Sequence, residues 1–451
     1  MRKLTALILC LAMLMSFAGC AAKVEVIKKN EDGEVITEEK AKTYEEMTTE
    51  EKFEYHANNV SDSAIYSFDN EMLAPALDTS VGLWGYISSR GEWVIEPAYS
   101  GAFPFSEGFA PVLDNYSEYN IINSSGEKFL SHIDKKTMKA ACYFTEGFVP
   151  AVLDSKFEQT KLYVSTNGVS MIMASNLPKT NGVSYQSVSL FSVATPFING
   201  MAVVMRRTNA SVIEANKGDR ELVANKGYYQ SAYVIDAAGE IVTTLPAGYD
   251  VDDNCFDSND YIVVRDMTNP EGLYGIYDIF GNVICECKYI RIEHCDGDFY
   301  LVCDTDGFWG YLYRTGKEVI ECKYQAALPF SEDYAAVCEE DLWGVIDTQG
   351  QYVIEPSYDE FHPLKIASLN TNIGSAAFNE GLAAVRKGAY WALIDTQGNI
   401  IRAAKGETCP FKSISGRCIV FTDANGKYGL LDLEGNEILA PAFGNIGLFG
   451  K

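Results

Sequence analysis

The sequence predicts an all-β protein: a repeat array of about nine three- to four-stranded β units, arranged as a propeller-like ring, with a short N-terminal helix. Three observations carry that expectation. An aromatic residue recurs along the chain, and a glycine follows it seven positions later each time. The spacing within this element is fixed, while the spacing between copies varies, as in a repeated supersecondary unit with loop insertions. The composition also suits many short strands and tight turns, with 47% hydrophobic and 12% aromatic residues and 37 glycines among 451 residues.

The chain opens on a signal, not a fold element. Arg2 and Lys3 form a charged start, Leu4 to Met15 are mostly apolar without charge, and Ser16-Phe17-Ala18-Gly19-Cys20 offers a small-residue cleavage site. The apolar run is too short for a permanent membrane span. Cys20 after Ala-Gly resembles a bacterial lipobox, although Phe17 stands where that motif usually carries Leu. The resemblance implies cleavage after residue 19 and a lipid on Cys20, hence residence on the extracytoplasmic face of a cell membrane. Losing residues 1–19 removes Arg2 and Lys3 and no acid, which takes the formal charge from −26 to −28. So acidic a surface keeps the protein soluble and repels phosphate backbones, which argues against nucleic acid as a partner.

Residues 20–60 read as the lipidated cysteine, an acidic tether and the short helix. Lys23 to Lys42 is charged and poor in large apolar residues, the composition of a solvated tether. Thr48 and Glu51 make a capping box, and Phe53, Ala57 and Val60 share one helical face, expected to pack on the first repeat.

Residues 61–451 read as one repeat domain. Its clearest unit is Trp343-Gly344-Val345-Ile346, a turn Asp347 to Gly350, a second apolar run Tyr352 to Glu355, and Pro356. The equivalents of Trp343 are Trp84, Tyr119, Lys161, Ala232, Tyr274, Trp309, Trp391 and Tyr428, spaced 34 to 71 residues apart. A third element closes each unit: Ser106-Glu107-Gly108-Phe109-Ala110-Pro111-Val112 returns from Thr145 to Val152, from Ser331 to Val337, and from Asn379 to Val385. The recurring aromatics are expected to be core, filling the interface between units.

These residues resemble the bacterial WG-repeat proteins, over about residues 72 to 451. The match is strongest at Trp84, Trp309 and Trp343, and degenerate at Lys161 and Ala232, where the signature aromatic is missing. The resemblance implies a repeat scaffold, often in a surface or envelope setting, and no reaction or catalytic residues.

The ends suggest closure. The last unit, from Lys427 to Pro441, lacks its closing strand, while Leu73 to Asp78 matches the closing strand Phe109 to Asp114. An N-terminal strand completing the C-terminal unit would shut the ring and remove exposed sheet edges. The alternative is an open β-hairpin solenoid with capped ends.

Ten cysteines remain besides Cys10 and Cys20, and they read as small buried hydrophobes before disulfides. Cys287 and Cys322 take the place of Pro97 and Pro356. A metal site at Cys285, Cys287, His294 and Cys295 lacks a second ligand pair, and the acidic run Tyr249 to Asp260 lacks the glycine and terminal Glu of a calcium loop. No metal and no cofactor are expected.

Insertions at Asn176 to Ile198, Arg206 to Gln230 and Phe361 to Phe378 lengthen loops on the scaffold, where binding usually resides. The second holds Arg206, Arg207, Lys217, Arg220, Lys226, Tyr228 and Tyr229, a locally basic, Tyr-bearing hairpin on an acidic protein and the candidate partner contact. Nucleophile elbow, paired-His motif and phosphate loop are all missing from the sequence. The expected function is therefore a non-catalytic binding scaffold for an envelope protein, not an enzyme. Two alternatives stay open. One is a carbohydrate or cell-wall polymer module using Tyr228, Tyr229 and the Phe361 loop. The other is a hydrolase whose Asp, Glu or His side chains converge from different units.

Overall fold

The computed structural model describes residues 23–29, 35–58, 72–114, 119–128, 138–141, 145–154, 159–165, 171–172, 192–205, 232–295, 297–365 and 375–450. Among the described residues the repeat domain forms nine sheets in chain order, and in most of them the four meander strands run antiparallel from a short first strand to a longer fourth. Sheet 7 sets the pattern: Ala326–Ala327, Tyr334–Glu339, Leu342–Asp347 and Tyr352–Tyr358 pair in sequence. The closing element of the repeat is thus the second strand of the following sheet, and each sheet takes its parts from two sequence units. Sheet 2 has three strands, and Leu364–Lys365 with Ser375–Ala376 adds a small hairpin to the first strand of sheet 9, Phe411–Ser415. That hairpin is the Phe361 to Phe378 insertion, rooted on the scaffold.

The hairpin turn follows from two residues. Asp347 accepts the N–H groups of Gln349 and Gln351 on its Oδ1, both at 2.9 Å, and Gly350 takes φ +76°. A left-handed residue is what such a turn requires, and glycine adopts it without a Cβ penalty. Seven of the equivalent glycines behave alike, and Gly168 lies outside the described residues.

The aromatic–glycine pair has a different reason. In sheet 7, Trp343 pairs with Tyr358 and Val345 with Ile354, so three residues of the fourth strand bulge opposite Gly344 alone. A Cβ on Gly344 would sit 2.7 Å from the Ile354 carbonyl oxygen and 2.9 Å from the Pro356 nitrogen. Gly85, Gly275, Gly310 and Gly429 meet the same bulge at 2.5 to 2.6 Å. In sheet 8 Ala392 takes the glycine's place, and the ladder runs on without that bulge from Trp391↔Ala404 through Leu393↔Arg402. The glycine lets the outer backbone press in, and the bulge increases the local twist.

The recurring aromatics are less buried than expected. Trp84, Trp309 and Trp343 are half-buried, while Trp391 is buried. The fully enclosed position lies two residues later: Tyr86, Tyr163, Tyr311, Val345, Leu393 and Leu430 all show 0% exposure. Alternation explains this, because the aromatic and the residue two on share a face but the second sits deeper along the strand. Each buried tyrosine also needs a partner for its hydroxyl. Tyr86, Tyr163 and Tyr311 donate to the carbonyls of Phe103, Thr195 and Leu328 in the next sheet, at 2.8, 2.5 and 2.8 Å.

Apolar clusters join successive sheets around the array. They link sheets 1–2, 3–4, 4–5, 5–6, 6–7, 7–8 and 8–9. Carboxylates add a second belt. Glu107, Glu146, Glu332 and Glu380 stand at φ of 49° to 52°, in turns between first and second strands. Each accepts backbone N–H groups from the corresponding turn of the next sheet: Glu107 from Glu146 and Gly147, Glu146 from Gly200, Glu332 from Gly381 and Glu380 from Arg417. The first of these joins sheet 2 to sheet 3.

The ends meet, so the array is a closed ring and not an open solenoid. Leu73–Asp78 takes the place of the last unit's closing element, as the second strand of sheet 1. Asn445–Ile446 pairs with Leu73–Asp78, so the C-terminal strand completes the N-terminal sheet. Leu73 and Gly450 exchange both backbone hydrogen bonds at 2.9 Å, and Gly447 N–H donates to Pro75. Ala74, Ala76 and Ile87 of sheet 1 then pack with Cys418, Val420 and Leu430 of sheet 9.

The helix α1 (Thr49–Asn58) carries the expected capping box, with Thr48 N–H to Glu51 at 2.8 Å and Glu51 N–H to Thr48 Oγ1 at 3.2 Å. It packs on sheet 8, not on the first repeat. Phe53 is fully buried in a cluster with Tyr358, Phe361 and Tyr390. The tether segment holds an unexpected element: Lys23–Lys29 pairs with Val35–Ala41 as a hairpin. Alternating β-branched residues (Val24, Val26 and Val35, Thr37) supply its strand propensity.

Gly344→Ala is expected to cost about 2 kcal/mol through overpacking against the bulge, read from the denaturation midpoint. Ala392→Gly, where no such bulge exists, is expected to cost under about 1 kcal/mol. Equal stability of Gly344→Ala and the parent would refute the bulge as the glycine's reason.

Candidate functional site

Among the described residues, a buried cluster of polar side chains lies at the seam between sheets 5 and 6. In two described seams, a serine at or just past the end of the first strand accepts a backbone N–H from the next sheet. Ser331 Oγ takes that of Phe378 at 2.9 Å, and Ser415 Oγ that of Phe449 at 2.8 Å. Sheet 5 carries Asp257 at this position, after Phe256, and sheet 6 carries His294 where others carry Phe330 or Phe378. Tyr300, in Phe299–Cys303, stands where Ala110, Ala335 and Ala383 stand elsewhere.

The three departures meet. His294 Nδ1 lies 3.0 Å from Asp257 Oδ2, and the side chains are 11% and 10% exposed. Tyr300 donates its hydroxyl to the same Oδ2. Asp257 Oδ1 accepts the N–H groups of Asn259 and Tyr261 at 2.9 and 3.1 Å. Burial works to raise the Asp257 pKa, but the His294 hydrogen bond and charge, with Tyr300 and the Tyr261 N–H, hold it below the usual carboxylate range. Burial and the Asp257 charge push the Tyr300 phenol well above its ordinary value. His294 Nε2 is enclosed and has no hydrogen-bond partner among the described residues. A general base must reach the proton it takes, and this nitrogen is shut off from a substrate. The arrangement is a buried charge-assisted network between two sheets.

A groove of about 1090 Å³ opens between α1 and sheets 8 and 9. Glu54 and Asn58 of the helix, Arg402 to Glu407, Phe411, Lys412 and Tyr428 are among its walls. Arg402 donates to the Gly435 carbonyl at 2.6 Å and lies over the Phe421 ring, and Lys405 lies over Tyr390. Lys412 donates to the Cys409 carbonyl at 2.5 Å. Carboxylates of Glu54, Glu407 and Asp423 face the same space, so the groove is of mixed charge.

Cys20 and the candidate contact residues Arg206, Arg207, Lys217, Arg220, Lys226, Tyr228 and Tyr229 lie outside the described residues, as does Cys142. The other nine cysteines are free thiols, six of them buried, and His294 faces Asp257 instead of Cys285 or Cys287. The acidic run spends its carboxylates on the frame. Asp252 accepts the Asn254 N–H, Asp253 that of Ala194, and Asp260 the Asn199 amide. Phe361 is buried at 7% exposure, which removes it as a sugar-stacking surface. The sequence placed His294 beside Cys285, Cys287 and Cys295 and Asp257 in the acidic run, and the pairing of the two was missed because strands and turns were compared by shape. The signal was present as the loss of Ser and Phe at two equivalent positions.

A family model described as "WG containing repeat" matches residues 84–116, 309–343 and 343–365, which supports the WG-repeat family at three places in the chain. A comparison with curated proteins finds no match. Among solved structures, a crystal structure of the eukaryotic initiation factor aligns over 84% of this chain and 97% of its own, at 9% identity and a TM-score of 0.54. BamB from Moraxella catarrhalis aligns over 75% and 96% at 13% identity, with a TM-score of 0.34. The C-terminal WD40 domain of Sif2 aligns over 82% and 99% at 8% identity, with a TM-score of 0.35. The first likeness is one of fold alone, and the other two are too loose to carry an argument.

His294→Phe should strand the Asp257 carboxylate and cost about 3 kcal/mol at neutral pH. Because the folded pKa of Asp257 is depressed, its contribution is present above about pH 4 and is lost as pH falls further. The stability gap between the variant and the parent should therefore close on acidification. Denaturation curves from pH 7 to 3 check this, and a gap constant over that range would contradict it.

Proposed function

We propose that the protein is a lipid-anchored, extracytoplasmic binding scaffold, held to the membrane through Cys20, whose ring presents its insertions to an envelope protein. It acts by holding a partner and not by turnover. The observation that carries this reading is the closed ring itself. A frame with paired edges and packed seams holds the roots of long loops in fixed positions, which is how scaffolds position binding residues. The Phe361 to Phe378 insertion supports the reading, since its hairpin is built onto sheet 9. The hydrolase alternative draws on Asp257 and His294, which do converge from two sheets, but their enclosure favours a structural role. The cell-wall alternative keeps Tyr228 and Tyr229 and loses Phe361.

Capture of partners from an envelope extract tests the proposal. The residue 21–451 protein should retain an envelope protein that is lost when Arg206 to Gln230 is replaced by a short Gly-Ser turn. Retention on purified cell wall with no protein partner would transfer the assignment to the polymer alternative. In cells, Cys20→Ala should move the protein out of the membrane fraction, and unchanged membrane association would contradict the lipid anchor.

A further inference from the structure

Nine sheets built on one pattern create a problem that a mixed fold does not have. Their seams are made from similar apolar side chains, and their turns bond through similar groups. A sheet can therefore stack on the wrong neighbour, within one chain or between two, at little energetic penalty. Repeat proteins misassemble in this way.

The seam between sheets 5 and 6 breaks the degeneracy. Asp257 and His294 meet only if sheet 5 stacks on sheet 6, with Tyr300 supplying a further hydrogen bond. On any other described sheet, the Asp257 side chain would face Phe105, Phe197, Phe330, Phe378, Ile414 or Phe449 in place of His294. A buried carboxylate without a partner is expensive, whereas the matched pair is close to neutral against an apolar substitute. Discrimination then comes from the penalty on wrong pairings. Single buried polar residues fix register in coiled coils by the same logic.

We infer that Asp257, His294 and Tyr300 form a register key that makes sheets 5 and 6 recognise each other while the ring assembles. The key selects the order of the sheets, and the apolar seams supply the stability. This inference is independent of the partner the ring binds.

The test restores the repeat's own chemistry at the seam. In the full chain, Asp257→Ser and His294→Phe return the pattern of Ser331 and Phe378 at sheets 7 and 8, and Tyr300→Phe removes the remaining hydroxyl while keeping the core filled. Equilibrium unfolding should stay within experimental error of the parent. Refolding from denaturant should give a monomer yield about twofold lower or worse, with the balance in oligomers on size exclusion. A second variant duplicates the key: Ser331→Asp with Phe378→His places the same pair at the seam between sheets 7 and 8. It should also lower the monomer yield, because two identical keys no longer identify one seam. Unchanged yields in both variants would overturn the inference. So would a triple variant that loses equilibrium stability or fails to fold, since the cluster would then be a plain stabilising contact.

Discussion

The contact between each aromatic–glycine step and the bulged fourth strand governs the rest of the molecule. Removing one side chain lets three outer residues crowd a single inner one, and the sheet twists more strongly there. Strong twist gives packed sheets their propeller-like splay instead of a flat stack. It also brings the residue after the glycine, such as Tyr86 or Tyr311, onto the neighbouring sheet, where its hydroxyl finds a carbonyl. Sheet 8, which has Ala392 at the glycine position and no such bulge, is the sheet whose outer strand α1 covers. A helix there shields an edge that lacks the proline present in Trp93–Tyr99, Tyr352–Tyr358 and Glu437–Phe443.

Much of the acidic composition has a place in this frame. Aspartates close hairpin turns through their own backbone, as at Asp278, Asp347 and Asp395. Glutamates in left-handed turns reach the next sheet's N–H groups. Carboxylates used in this way accept hydrogen bonds without needing cations, so a chain of net charge −26 can be compact. Asp257 lies inside a seam, beside His294 and Tyr300.

The repeat was legible in the sequence because its turn chemistry is local. The spacing from Trp343 to Gly350, with Asp347 between, reports one hairpin whatever surrounds it. The boundary between sheets was not legible, because the closing strand Tyr334–Glu339 can be assigned to either unit until its pairing with Leu342–Asp347 is known. The same double membership holds at the closure, where Leu73–Asp78 is both the closing element of the last unit and the second strand of the first sheet. The helix was visible from Thr48 and Glu51, but its docking on sheet 8 depends on residues more than 300 positions away, such as Tyr358 and Tyr390. The Asp257–His294 seam was hidden for a related reason, since neither residue is unusual until the two sheets are side by side.

The chain closes on itself through Asn445–Ile446 and Leu73–Asp78. Hydrogen exchange of the native protein, followed at the amides of Leu73, Gly444, Gly447 and Gly450, tests this closure directly, because all four donate across the junction. A closed ring predicts protection at these sites comparable to that of interior strands such as Tyr334–Glu339. Exchange at the rate of unpaired terminal residues, with the interior strands still protected, would contradict closure.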